Sequence, residues 1–166
     1  MMTFDDIHDG ALLYLDANIL IYFFNGKSLD CVRLLERCKR QQVFGVISTL
    51  TVIEVCHKAM CFEAEELTGK PRVTAEYLKR HPDLVCGLRK YATVVDDLLT
   101  RNNLQVIEVT SLDIVESYRI RQGYGLLTTD SITAQVLVNY DIPAIATKDP
   151  DFERIKGIQV FRPSDI

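Results

Sequence analysis

The chain has no tryptophan, only three histidines and no Cys-x-x-Cys pair. Zinc sites of the finger or ribbon kind need thiolates and imidazoles at short, repeated spacings, and nothing here supplies them. The five cysteines, Cys31, Cys38, Cys56, Cys61 and Cys86, are scattered, three of them in apolar helical patterns. They read as buried thiols rather than as disulfides. No apolar run approaches the roughly 18 residues of a membrane span. The longest, residues 19–24, has the length of a strand or a short helix. The opening MMTFDDIHDG is acidic and lacks the basic start of a secretion signal. The expectation is a cytoplasmic protein with no membrane partner. Internal repeats and low-complexity tracts are missing too. So is an excess of positive charge. The formal net charge of −4 argues against a wholly basic, nonspecific nucleic-acid binder. It leaves room for an enzyme whose acidic cluster is neutralised by a metal. Much of the basic charge is crowded into one stretch: Lys70, Arg72, Lys79, Arg80, Arg89 and Lys90.

What the sequence does have is apolar content, 48% over 166 residues, enough for one domain with a packed core. Residues 12–15 read as a buried strand ending at Asp16. Ser28 caps a helix whose apolar residues, Leu29, Val32, Leu35 and Cys38, repeat near 3.6. Residues 43–47 form a second strand, and Ser48 or Thr49 opens a helix carrying Leu50, Ile53, Glu54, His57 and Cys61. Residues 67–73, with Gly69 and Pro71, form a loop. Pro82 opens one helix with Leu84, Val85, Leu88, Tyr91, Val95 and Leu98 on its apolar face. Residues 104–109 are a third strand, followed by a helix capped at Thr110 or Ser111 and a loop at Gly123. Thr128 or Thr129 caps the next helix. Residues 144–146 are a fourth strand, and residues 159–161 a fifth at the edge. Strands alternating with helices imply a mostly parallel sheet covered on both faces. In such sheets ligands sit beyond the carboxyl ends of the strands, where the strand order reverses.

In a sheet of this kind, four acids could converge at one edge, although no spacing rule requires it. Asp16 closes the first strand, Glu54 lies about two turns into the helix after the second, Asp130 opens the helix of LLTTDSITAQV, and Asp149 follows the fourth strand. Each has an ordinary alternative. Asp16 could cap a helix, and Asp130 suits the positive end of a helix dipole. Asp149 before a proline suits a turn, and Glu54 could be a solvated helix residue. Gathered together, four carboxylates would raise one another's pKa values. A hard divalent cation relieves that repulsion, and Mg2+ or Mn2+ binds carboxylate and water oxygens. Acids with few histidines and no thiolate motif point to metal-assisted phosphodiester hydrolysis. His57, three residues after Glu54, forms only one half of the paired motif of a di-iron bundle, and reads as a core or surface histidine.

Four stretches in order, LYLDANILIYFF, STLTVIEVCHKA, LLTTDSITAQVLVNYDI and IATKDPDFERIKGIQV, resemble the PIN domain, the nuclease fold of VapC-type toxins. The resemblance implies a three-layer α/β/α domain around a central, mostly parallel sheet of four or five strands. It implies catalytic roles for Asp16, Glu54, Asp130 and Asp149, with Asp16, Asp130 and Asp149 as metal ligands. Asn18 orients the substrate or Asp16, and Asp151, next to Phe152, is a secondary acid. The implied activity is an Mg2+- or Mn2+-dependent endoribonuclease acting on single-stranded RNA. The implied setting is a toxin–antitoxin pair, with RNA, a protein antitoxin and a second copy of the chain as partners. Residues 62–101 depart from the compact pattern, and we expect a helical insertion or arm there, with its basic residues near the cleft.

Two rivals remain at this point. A haloacid-dehalogenase-like phosphatase also places an aspartate after its first strand, but needs a second one two residues on, where this chain has Asn18. A PIN-like module that binds RNA or protein without cutting would not need the complete acidic set.

Overall fold

The strand β2 (Leu12–Leu15) lies at the centre of the sheet because three of its four residues are fully buried. Leu13 and Leu15 point to one face and Tyr14 to the other, as a strand's twofold period requires. The computed structural model describes residues 2–166. Six strands pair in the order β1 (Met2–Thr3), β6 (Gln159–Arg162), β5 (Ala144–Ala146), β2, β3 (Phe44–Ser48) and β4 (Gln105–Ile107), and every pair is parallel. The sheet is therefore one strand larger than expected and wholly parallel. β6 is not its edge, because the two-residue β1 pairs outside it. Two residues carry no periodicity that a sequence could reveal.

Helices cover both faces. On one side lie α1 (Ala17–Phe24), α2 (Leu29–Lys39), α3 (Thr49–Thr68) and α6 (Lys90–Arg101). They pack Ile19, Leu20, Leu34, Leu35, Val55 and Leu98 against Leu13, Leu15 and Ile47. On the other side α7 (Ser111–Tyr124) and α8 (Thr128–Asn139) pack Ile120, Ala134, Val136 and Leu137 against Tyr14, Val46 and Ile145. Ser28 caps α2 as expected, although its buried face is Cys31, Leu34, Leu35 and Cys38 while Leu29 is exposed. All five cysteines are free, with Cys31, Cys38 and Cys61 buried, Cys56 half-buried and Cys86 exposed. Among the described residues no helix is long and apolar enough to cross a membrane.

Residues 62–101 hold the end of α3, then α4 (Ala75–Arg80), α5 (Pro82–Gly87) and α6. The helix expected to run on from Pro82 is broken at Leu88, which is extended and buried. The break comes from Glu63 on α3. Its carboxylate accepts from the backbone N–H of Arg89 at 2.6 Å and of Tyr91 at 3.0 Å, so it caps α6 from a distant element. Burial pushes the Glu63 carboxyl up, but those backbone bonds outweigh it and hold the group below its usual range. Gly123 lies inside α7, not in a loop; the helix ends at Gly125, whose φ of 68° is the left-handed cap that glycine tolerates.

Between β3 and α2 the packing is tight enough to specify glycine. A Cβ on Gly45 would stand 2.5 Å from Leu104 Cδ2 and 2.9 Å from Cys38 Sγ, both buried. Gly45→Ala therefore destabilises the protein by about 1–3 kcal/mol, the usual range for overpacking, and urea unfolding reads it directly.

Candidate active site

The strand order reverses between β2 and β5. From β2 the chain winds outward through β3 and β4; β5 and β6 lie on the other side. Asp16 follows β2 and Thr147–Asp149 follow β5, so both segments leave the sheet at the crevice expected of such a switch point. Asp16 ends its strand by donating its backbone N–H to Ala146 O at 3.0 Å and caps α1 by accepting from Ala17 N at 2.7 Å. The alternative reading as a helix cap is thus true, but it does not account for the other carboxylate oxygen.

Oδ2 of Asp16 accepts from the Thr147 hydroxyl at 2.6 Å and from the Asn18 amide. Asn18 also donates to Thr147 Oγ1 at 3.0 Å, and its carbonyl accepts from Lys148 N at 3.2 Å. Thr147 Oγ1 further accepts from Asp149 N at 3.0 Å. One buried hydroxyl therefore ties Asp16, Asn18 and the Asp149 segment together. The sequence reading missed Thr147. The signal was slight: a single threonine between a strand and an aspartate, of a type common at strand ends.

A second buried hydroxyl group positions Glu54. Tyr14 OH lies 2.7 Å from Ser48 Oγ and 2.7 Å from Thr51 Oγ1, which fastens the start of α3 to the central strand. Burial pushes the Tyr14 phenol above its usual range. Glu54 lies in the second turn of α3 and is exposed; of its neighbours, Val55 is buried but Ile53 is 67% exposed. Asp130 stands in the first turn of α8, whose N-cap position is Leu127 with no side-chain cap, rather than Thr128 or Thr129. Asp149 accepts from Asp151 N at 2.8 Å and opens a short 3-10 turn anchored by the buried Phe152. Asp151 is paired with Arg154 at 2.8 Å.

The acids act on one another. Asp16 is pushed up to about 6, first by burial and then by Glu54 and Asp130; the bonds from Thr147 and Ala17 only partly offset this. Asp130 is raised by burial and by Asp149, Asp151 and Glu54. Each of the four sequence-predicted acids therefore lies within electrostatic reach of at least one other. Among the described residues, however, no three Asp, Glu, His or Cys side chains are grouped closely enough to enclose a metal. That donor set suits a hydrated hard cation, which keeps several waters and takes one or two carboxylates directly. It does not suit a closed cage. Asp16 fits such an ion: three donors fill three of the roughly four acceptor positions of its carboxylate, leaving one on Oδ1.

Within the arm, α6 packs beside Val55 of α3, whereas α4 and α5 lie further along that helix. The arm's core of Cys61, Ala64, Val73, Leu78 and Leu88 packs on the second half of α3, and Ala64 is about 15 Å along the helix from Glu54 at 1.5 Å per residue. Arg80 is paired with Glu76 at 2.8 Å, Lys90 with Glu66 at 2.5 Å, and Arg89 donates to two backbone carbonyls.

Among curated proteins, ribonuclease VapC2 of Methanocaldococcus jannaschii is 26% identical over 149 residues, covering 90% of this chain and 92% of its own. Among solved structures, VapBC2 of Rickettsia felis bound to a promoter DNA fragment matches with a TM-score of 0.59 at 15% identity, over 92% of this chain and 99% of that one. VapC20 of Mycobacterium tuberculosis, a toxin that cleaves the sarcin–ricin loop, matches with a TM-score of 0.57 at 12% identity, over 89% and 98%. The PIN domain family profile matches residues 13–158. That span runs from inside β2 to the threshold of β6 and takes in all four acids in their expected order, so the chain belongs to the PIN domain family.

Proposed function

We propose that this protein is a metal-dependent endoribonuclease that hydrolyses phosphodiester bonds of single-stranded RNA in the cytoplasm. The observation that carries the reading is the gathering of Asp16 and Asp130 with Glu54 close enough that, beyond burial, the neighbouring acids raise the Asp16 and Asp130 carboxyls. In this reading Asp16, Asp130 and Asp149 would hold a hydrated Mg2+ or Mn2+, one or two of them directly and the rest through its waters. The bound ion would lower the pKa of the attacking water and offset charge on the phosphoryl oxygens. Asn18 and Thr147 fix the Asp16 carboxylate. Glu54, solvent-facing beside them, can take up or return a proton. Asp151 is secondary because Arg154 already balances its charge. Residues 62–101 form a helical arm of the same single domain. A labelled single-stranded RNA tests the reading: cleavage with Mg2+ or Mn2+ that EDTA stops supports it, and no cleavage with either ion removes it.

Thr147→Val keeps the side chain's size and deletes its hydroxyl. Orienting partners of ligands are worth about 10–100-fold in metal affinity, so calorimetry should give a Kd for Mn2+ at least tenfold weaker. An unchanged Kd would make Thr147 merely structural. The same titration separates the rival reading, a non-cleaving module, which would take up no ion at the acids.

The likeness to VapC proteins supports a protein antitoxin as partner. A homodimer is supported by α7, which presents Leu112, Val115 and Tyr118 to solvent while burying Asp113 and Ser117. Sedimentation should show a dimer that Val115→Glu dissociates; a monomeric parent would remove that proposal.

A further inference from the structure

Lys148 stands between Thr147 and Asp149, beside an acidic crevice, and yet makes no ion pair among the described residues. Other acids lie nearby, since Lys148, Asp30 and Asp165 all act on the buried Cys31. Those carboxylates are engaged elsewhere. Asp165 accepts from Ser28 Oγ and from the backbone N–H of Leu29 and Asp30. Asp30 accepts from Ser164 N and Oγ and lies 3.5 Å from Arg33. Arg154, another cation near the site, is held by Asp151. Lys148 is thus exposed and available, while its backbone is fixed by the bond to Asn18 Oδ1.

Its ammonium lies 5.9 Å from the centre of the Tyr22 ring. Tyr22 follows Asn18 by four residues on α1, so the two share a face about 6 Å apart along the helix. Moving outward from Asp16, the sequence of groups is an amide that touches the acid, then an aromatic ring with a cation over it. That step is comparable to one nucleotide of an extended strand. Aromatic faces and unpaired cations are the groups by which proteins hold single-stranded nucleic acid, one for the base and one for the phosphate.

We propose that Lys148 and Tyr22 form a subsite for the nucleotide next to the cleaved bond, in which the ammonium swings off the ring onto the phosphate and the ring face it uncovers takes the base. The inference rests on the ribonuclease reading and adds to it a direction along which the RNA leaves the acids: over the first turns of α1, not along the arm.

Cleavage kinetics on a labelled single-stranded RNA across a series of KCl concentrations test it. Lys148→Ala should raise KM by about tenfold, the loss expected for one charge-assisted contact, with a much smaller fall in kcat. It should also flatten the log–log salt dependence by about 0.7, one phosphate's worth for a single strand, and Lys148→Arg should restore the slope. Tyr22→Leu should raise KM without changing the slope. A KM and slope equal to the parent's in Lys148→Ala would overturn the subsite. A parent that cuts no RNA would sink the nuclease reading instead. Fluorescence anisotropy of the same RNA in EDTA would still decide the subsite, with equal affinity of the parent and both variants overturning it.

Discussion

Asp16→Asn should cut RNA at least about a hundredfold more slowly than the parent, more than the 10–100-fold typical of losing a group that only orients a ligand. The folded state should survive. Asparagine has the size of aspartate, and its Oδ1 can take the place of the oxygen that accepts from Thr147 and Asn18. Its amide then faces the N–H of Ala17, so one capping bond is lost, at a cost of about 1 kcal/mol. Relief from Glu54 and Asp130, which both push the Asp16 charge toward neutrality, offsets that cost. The substitution thus separates stability from catalysis: a thermal melt in EDTA should be unchanged or higher while cleavage collapses. Asp130→Asn should behave likewise, and Asp151→Asn, whose charge Arg154 already balances, should cost much less. If Asp16→Asn cuts as fast as the parent at limiting metal, Asp16 is not a ligand and the cap is its whole role.

Asp16, Asp130 and Asp149 are legible as candidates because each lies close to an element boundary, and such boundaries are marked in sequence by caps and turn residues. β2 and β5 are short apolar runs with polar ends, so Asp16 and Asp149 read as candidates at the carboxyl ends of strands, and Asp130 as the opening of a helix. What escaped depended on distant partners. The interruption between α5 and α6 is made by Glu63, 26 residues upstream of Arg89, and the apolar spacing of Leu84, Leu88 and Tyr91 passes across it undisturbed. Thr147 gains its importance from Asp16, 131 residues away. Residues 19–24, most of α1, read equally well as strand or helix because they are apolar on every side; all six are buried or half-buried. α7 reverses the usual rule, with polar residues inward, because Asp113 and Asn139 bond each other across the α7–α8 contact at 2.8 Å. A pattern of periods reads elements that obey the sheet. It does not read bonds that one element makes for another.

The metal-free protein should lose stability as pH rises from 5 to 7.5, and Asp16 should be the main cause. Its pKa is about 6 in the folded state against 3.8 for the free group. The folded state therefore holds the proton more tightly, and between those values it carries more protons than the unfolded chain. Stability then falls with rising pH, since the slope follows protons bound unfolded minus protons bound folded. The contribution is fully present below about pH 3.8 and is lost as pH passes through 6. Integrated from pH 5 to 7.5, the loss is about 1.5 kcal/mol, or roughly 3–6 °C in Tm for a chain of this size. Asp130, also raised, adds in the same direction. Glu63, Asp113 and Asp165, whose carboxyls are held low, act oppositely, but their contributions are lost only as pH falls through the ordinary carboxylate range and below. The comparison that isolates Asp16 is the difference between parent and Asp16→Asn, melted in EDTA at each pH. The variant should gain on the parent as pH rises. Mg2+ should reverse the trend in the parent alone: it competes with the proton for the same carboxylate, so it stabilises at pH 7.5 by mass action and does little at pH 5. A parent and variant that track each other across this range, with or without Mg2+, would show that the charge on Asp16 is balanced by something other than a proton or a metal.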